Sequence, residues 1–443
     1  MTKASGAKAG LSGHKPSITR RSALKIGAGG VAMTFAAPYI ARGMSDKLLV
    51  GVPSSLSTPY GVADDTDHLN GTKLAVEEIN AAGGVLGREI ELYVPDVDKL
   101  SPESCRQAIA ACIDKKVLAI SNSFVFAPIA AMDESAKYKC PYLNGNAQRL
   151  PTEAFKADPV KYSHMLQTCP AEVNYGWTYP LWLKAMETTG AWKPKNRKIH
   201  IVAEQVGYCQ TILKAARESI PKLDFELAAV TDIQYPVNDW GPVIQRLKEV
   251  DAGAIMIDHW VAAEYAAFCK QFRANPVENS LVYLQYGPSQ PEFLELGGKA
   301  TEGFCWSTTL GVYGDARGQE FRKKYVSRFP EFEGNMGLVY TGNGYDIIHY
   351  LKLAWEATGK PEDFAANIAW IRNNPYRGVC GLIDMKNDLQ EALHFPDNGF
   401  GNQSTDLEKG MSQLYVQVQG GAHKIIWPNE IAESKLVAAP WWN

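Results

Sequence analysis

The stretch Lys47–Asp96 limits the fold more than any other part of the chain. "KLLVGV" (Lys47–Val52) is a short apolar run. After it, Gly71, Ala75, Ile79 and Ala82 recur at i, i+4, i+8 and i+11, one face of a helix, while Lys73, Glu77 and Asn80 fall elsewhere. Gly83-Gly84 stops that helix. "EIELYV" then alternates, with Ile90, Leu92 and Val94 on one side. Strand, helix and strand in that order make one β-α-β unit with a right-handed crossover.

The same rhythm runs on. Helices are predicted near Pro102–Asp114 and Pro128–Tyr138, leading to the strands "VLAIS" (Val117–Ser121) and "PYLNGN" (Pro141–Asn146). Further strands are "KIHIVAE" (Lys198–Glu204), "FELAAVTDI" (Phe225–Ile233), "GAIMID" (Gly253–Asp258) and "LVYLQY" (Leu281–Tyr286), again separated by helical stretches. Alternating strands and helices imply an α/β fold whose parallel sheets are covered on both faces. At 443 residues the chain exceeds one typical core, so two α/β lobes are expected. Toward the end, Gly337–Gly359 reads as a long buried helix. "QLYVQVQ" and "HKIIWP" read as a hairpin turning at Gly420-Gly421.

The first 45 residues differ in kind. They hold seven cations (Lys3, Lys8, Lys15, Arg20, Arg21, Lys25 and Arg42) and no acid. The apolar run after Lys25 is short and diluted with Gly and Ala, whereas a spanning helix needs about 20 apolar residues. Residues 1–44 therefore read as a cleavable export signal, and Arg20-Arg21 followed by Leu24 and Lys25 resembles a twin-arginine signal. Without the seven cations, 38 Lys and Arg face 48 acids, a mature charge near −10. That balance argues against nucleic acid or an anionic membrane as partner, and no direct membrane insertion is expected. None of the eight cysteines lies in a C-x-x-C pair or at a zinc-like spacing to His.

Enzyme signatures are missing from the sequence: there is no G-x-S-x-G, no phosphate loop and no H-E-x-x-H. "DDTDH" (Asp64–His68) reads as a solvated loop with a helix-capping acid. No metal and no cofactor is expected. In open parallel sheets, ligands bind beyond the carboxyl ends of the strands. The segments there are "PSSLSTPYG" (Pro53–Gly61), "SNSFVFAP" (Ser121–Pro128), "NGNAQ" (Asn144–Gln148), "EQVGYCQ" (Glu204–Gln210), "DHWVAAE" (Asp258–Glu264) and "QYGPSQ" (Gln285–Gln290). Five of the six carry an aromatic: Tyr60, Phe124, Tyr208, Trp260 and Tyr286. Aromatics at strand ends are costly to expose unless a partner or ligand covers them.

"STPYG…NGTKLAVEEINAAGGVLGREIELYVPD" resembles the N-terminal signature of type I periplasmic binding proteins, the branched-chain amino acid, amide and urea class of ABC-transporter solute receptors. "GYCQTILKAARESI", "WGPVIQRLKEVDAGAIMI", "TEGFCW" and "IIWPNEIAESKLVAAPWW" extend the resemblance over nearly all of the mature chain. It implies a two-lobed type I periplasmic-binding-protein fold. Each lobe is a parallel-sheet sandwich covered by helices, and three hinge crossings join them near Leu166–Thr168, Phe304–Ser307 and Leu382–Asp384. Lobe 1 would comprise 46–166 plus 306–382, and lobe 2 167–305 plus 383–443. A solute would bind in the cleft and the lobes would close on it by hinge motion.

Carried over loop by loop, the ligand contacts of the first lobe match Asn122, Ser123 and Phe124, then Asn146, Ala147 and Gln148. Those of the second match Tyr208, Trp260 and Tyr286, and Tyr60 lies over the mouth. Ser123 and Gln148 would bond a carboxylate or carbonyl. The function implied is a periplasmic, monomeric receptor, with its signal cleaved, that serves the permease subunits of an ABC importer. A ligand-binding sensor for a signalling partner is the alternative from another class, and a hydrolase using the cleft is a third. Amino-acid-binding members carry an acid where Tyr286 stands. The expected solute is therefore an amide, a urea-like compound, or an aromatic or short organic acid rather than Leu, Ile or Val. Asp258 or Glu204, pointing inward, would supply the missing charge.

Overall fold

The computed structural model describes residues 47–58, 61–394 and 405–443. Two parallel sheets organise it. The first half supplies β1 (Leu48–Gly51), α1 (Val62–Ala81), β2 (Ile90–Tyr93), α2 (Pro102–Asp114), β3 (Ala119–Asn122), α3 (Pro128–Ser135), β4 (Tyr142–Asn144), α4 (Arg149–Ala157) and β5 (Met165–Gln167). The second supplies α5 (Val173–Thr188), β6 (Lys198–Glu204), α6 (Gly207–Ser219), β7 (Glu226–Ile233), α7 (Gly241–Val250), β8 (Ala254–Asp258), α8 (Ala262–Ala274), β9 (Leu281–Gln285), α9 (Pro291–Gly297) and β10 (Cys305–Thr308). The tail adds α10 (Ala316–Arg328), α11 (Tyr340–Thr358), α12 (Phe364–Asn373), the short pair β11 (Tyr376–Arg377) and β12 (Leu382–Ile383), and the hairpin β13 (Leu414–Gln419) and β14 (Ala422–Trp427).

Strands β1, β3, β4, β6 and β8 end where helices follow, so each next strand returns parallel to the last. The first sheet runs β2-β1-β3-β4-β5, all parallel. The second runs β14-β13-β10-β9-β8-β6-β7, with its first five strands in chain order parallel and the hairpin added antiparallel on β10. Both parallel sheets thus place their first strand between the second and the third. In such a sheet neighbouring connections leave for opposite faces at that point and open a crevice beyond the strand ends. Residue 306, expected at a lobe boundary, falls inside β10 of the second sheet. Glu391 bridges to Gln167 of β5, so the chain still touches the first sheet beyond 383.

Helix α1 packs along α11, and small residues allow the close approach. A Cβ on Gly71 would meet the Thr341 carbonyl oxygen at 1.8 Å, and one on Gly344 would meet the His68 carbonyl oxygen at 2.2 Å. Gly71, Ala75 and Ile79 are buried as their spacing predicts, whereas Ala82 lies just beyond the helix and is exposed. "DDTDH" departs further from expectation. It is the first turns of α1, and Asp64, Asp65, Asp67 and His68 are all buried. All eight cysteines are buried and unpaired. Among the described residues, no helix is long and apolar enough to cross a membrane and no cluster of potential ligands could hold a metal. The proposed signal lies outside the described residues.

Candidate functional site

A cavity of about 400 Å³ lies between the carboxyl ends of the two sheets, at their reversal points. The first half contributes Phe124 and Phe126 after β3, Asn146–Gln148 after β4, and Asp64 and Tyr340 from the first turns of α1 and α11. The second contributes Glu204 and Tyr208 around the β6–α6 junction, Trp260 after β8, and Tyr286 and Gln290 after β9.

Aromatic rings form a belt from one half to the other. Phe124 stacks on Tyr340 at 5.9 Å and meets Phe126 edge-on at 5.6 Å. Phe126 reaches Trp260 across the cleft at 5.9 Å, and Trp260 packs on Tyr235 at 5.7 Å. Such offset and edge contacts satisfy the ring quadrupoles and hold the rings in one arrangement. Tyr175 and Tyr208 complete the wall at 6.4 Å from each other.

Polar groups are few and specific. Tyr286 donates its hydroxyl to one Asp64 oxygen at 2.7 Å, and Gln290 Nε2 donates to the other at 3.0 Å. Because Asp64 belongs to α1 and Tyr286 and Gln290 follow β9, these bonds span the cleft. Tyr286 holds φ at +55°, a sparsely populated backbone state that aims its side chain at Asp64. Burial pushes the Asp64 carboxyl up to about 7; the donations from Tyr286 and Gln290 oppose this, while Asp65 and Glu292 add to it. On the far wall, Glu204 accepts the Val206 and Tyr235 backbone N–H groups at 2.7 and 3.3 Å. Tyr208 Oη accepts a bond from Gln285 Nε2 at 2.8 Å, which leaves its own proton to offer. No Lys, Arg or His is among the described residues that line the cavity.

The structure brings together seven of the expected contact residues: Phe124, Asn146, Ala147, Gln148, Tyr208, Trp260 and Tyr286. Tyr60 lies outside the described residues. Asn122 and Ser123 do not line the cavity; both are buried behind Phe124. Lys99, fully buried, lies 3.2 Å from Asp65 and donates to Ser123 Oγ at 3.2 Å and Asn122 Oδ1 at 3.4 Å. Ser123 in turn donates to Asp65, and Asn122 donates to Asn144 at 2.9 Å. The hydroxyl expected to bond a ligand carboxylate is thus held by the protein's own ion pair.

Asp64, Tyr340, Tyr175, Tyr235 and Gln290 are lining residues that the sequence reading missed. Asp64 carried a signal, three acids within four residues at the head of an apolar-faced helix. Tyr340 carried none, because its position follows from how α11 docks on α1. Of the two acids that would alter the ligand preference, Glu204 lines the cavity. Asp258 does not; it is buried next to Cys209, and burial raises its carboxyl far above the usual range.

The family model for periplasmic binding proteins matches residues 47–394. A protein from Silicibacter pomeroyi assigned to branched-chain amino acid ABC transport is 27% identical, with a TM-score of 0.81 over 89% of this chain and all of that one. LivJ from Streptococcus pneumoniae, a branched-chain amino acid substrate-binding protein solved with isoleucine, is 18% identical, with a TM-score of 0.68 over 89% of this chain and all of its own. An R. palustris ABC-transporter solute-binding protein in complex with benzoate is 14% identical, with a TM-score of 0.64 over 88% of this chain and all of its own. No curated protein matches the sequence. With a family match over most of its length and a cavity where two like-ordered sheets face each other, the chain belongs to the periplasmic binding protein family and is a solute-binding receptor of the ABC-transporter class.

Proposed function

We propose that this receptor delivers a small organic solute with a flat apolar body and N–H groups, such as an amide, a urea-like compound or an amine, to the permease of an ABC importer. The carrying observation is the cavity lining: an aromatic belt from both halves, with Asp64, Glu204, Asn146 and Gln148 as the polar contacts. The solved relatives hold isoleucine or benzoate. Both ligands carry a carboxylate, and here the expected hydroxyl partner, Ser123, bonds Asp65 instead. Burying a carboxylate or a zwitterion without a partner costs several kcal/mol.

In this reading the protein is a binding protein without catalysis, exported through a cleaved twin-arginine signal and acting as a monomer outside the cytoplasm. Its two lobes are centred on the two sheets. Sheet membership supports a first crossing after β5, a second between β10 and α10, and a third beyond Glu391. Closure joins Asp64 to Tyr286 and Phe126 to Trp260, and the permease reads that closed state.

A thermal-shift screen over amides, ureas, amines, organic acids and amino acids tests the reading, with small-angle scattering to follow closure. A solute at 100 times its Kd stabilises by about 2.7 kcal/mol. Isothermal titration with leucine and valine should give no binding; micromolar affinity for either would refute the ligand assignment.

A further inference from the structure

Resting on the receptor reading above, we infer that the solute carries a positive charge, an ammonium or guanidinium-type group on a compact apolar body, and no carboxylate. Two observations on the cleft carry this independently: where its carboxylates stand, and what has become of its anion-binding groups.

Acids face the cavity from both halves, Asp64 from α1 and Glu204 from the end of β6, and no basic side chain is among the described residues that line it. Among the described residues, Tyr286 and Gln290 donate to the two Asp64 oxygens and Val206 and Tyr235 to the two Glu204 oxygens. A carboxylate oxygen can accept more than one hydrogen bond, so in the ionised state, which burial makes Asp64 reach only above about 7, each keeps acceptor capacity for a solute N–H. The same cavity is lined by Trp260, Tyr235 and Phe126, whose ring faces attract a cation, Trp most strongly.

Two of the groups that could hold an anion are already occupied. Helix N-termini adjoining the cleft are natural anion sites. At the start of α6, however, the Val206 N–H goes to Glu204, and at the start of α4 the Arg149 N–H goes to Glu172 at 2.6 Å. Lys99 is the nearby cation, 5.4 Å from the Phe124 ring centroid, but it sits behind that ring and pairs with Asp65. An anionic solute would meet carboxylates on two walls and no basic side chain among the described lining residues. A cationic one would meet charge complementarity on both walls and aromatic faces in the same cavity.

The test is calorimetric titration of the mature protein with four probes that share a phenyl ring: benzyltrimethylammonium, benzylamine, benzamide and benzoate. The expected result is that at least one of the two cations binds about tenfold or more tighter than benzamide, a difference of roughly 1.4 kcal/mol, and that benzoate does not bind. In Glu204→Gln and, separately, Asp64→Asn, the ratio of cation affinity to benzamide affinity should fall about tenfold, with melting curves confirming that each variant is folded. Benzamide or benzoate binding as tightly as the better cation would overturn the charge assignment and leave the receptor reading standing. So would a cation preference that survives both substitutions. Failure of both cations to bind overturns the assignment as well. Only the absence of any stabilising solute in the wider screen would also sink the receptor reading.

Discussion

Gly71→Ala is a one-carbon test of the joint that sets the cavity's first wall. The added Cβ would stand 1.8 Å from the Thr341 carbonyl oxygen, where ordinary contact begins near 3.4 Å. The obstacle is backbone of α11, which cannot rotate away as a side chain would, so α1 and α11 must part by roughly 1.6 Å locally. Overpacking of this kind costs about 1–3 kcal/mol, and backbone against backbone belongs at the upper end. Replacing Gly by Ala inside a helix returns about 1 kcal/mol of propensity. The net expectation is a loss of about 2 kcal/mol, read as a lower urea midpoint by far-UV circular dichroism. A second effect should accompany it. Tyr340 and Asp64 both reach the cavity from the first turns of these two helices, so solute affinity should fall along with stability. Gly207→Ala is the control: a Cβ there meets nothing within 4 Å. An unchanged or raised midpoint in Gly71→Ala would show that the helices do not depend on this close approach.

Other consequences can be measured independently. Trp260→Ala and Tyr208→Ala should each cost about 2 kcal/mol or more of binding, because truncating a buried aromatic anchor commonly does; titration with the identified solute decides it. Lys99→Met should destabilise by about 3–5 kcal/mol, since it leaves Asp65 buried without its cation, and a double variant with Asp65→Asn should recover much of the loss in denaturant melts. Asp64 makes stability pH-dependent: its folded value of about 7 lies above the ordinary 3.8, so the folded state holds the proton longer and stability falls as pH climbs from 3.8 through about 7. The facing groups are Asp65 and Glu292, which raise it, and Tyr286 and Gln290, which lower it. Asp64→Asn should therefore gain on the wild type by on the order of 2 kcal/mol between pH 5 and pH 8 in denaturant titrations.

Much of the scaffold could be read along the chain because buried parallel strands advertise themselves. "KIHIVAE" became β6 over Lys198–Glu204 without adjustment, and the turn at Gly420-Gly421 sits between β13 and β14, both glycines at positive φ. Such elements depend on their own residues. The site was less legible where its chemistry depends on partners far along the chain. The acids at the head of α1 looked solvated because nothing nearby in sequence covers them. They are buried because residues far along the chain cover them, Tyr286 and Gln290 on Asp64 and Lys99 and Ser123 on Asp65. Ser123 was expected to meet the solute because its loop stands at a strand end. Lys99, beyond β2, and its partner Asp65 claim it instead. The aromatic side chains after β3, β6, β8 and β9 were legible, since each follows a recognisable strand.

The shared strand order gives the two halves an equivalence that the chain does not spell out in letters. β1 and β6, β3 and β8, and β4 and β9 hold corresponding places in their sheets. Phe124 and Trp260 are therefore counterparts across the cleft, as are Asn146 and Tyr286, each beyond the matching strand. The receptor behaves as a two-key lock whose keyholes are copies of one mould cut with different teeth. A solute in the cavity must satisfy both at once, because both halves line it. Either set of teeth can be recut by substitutions beyond a single strand while the opposite wall and both sheets stay as they are. Selectivity can therefore drift one wall at a time, and an intermediate that has changed only one wall is still a folded, closable receptor.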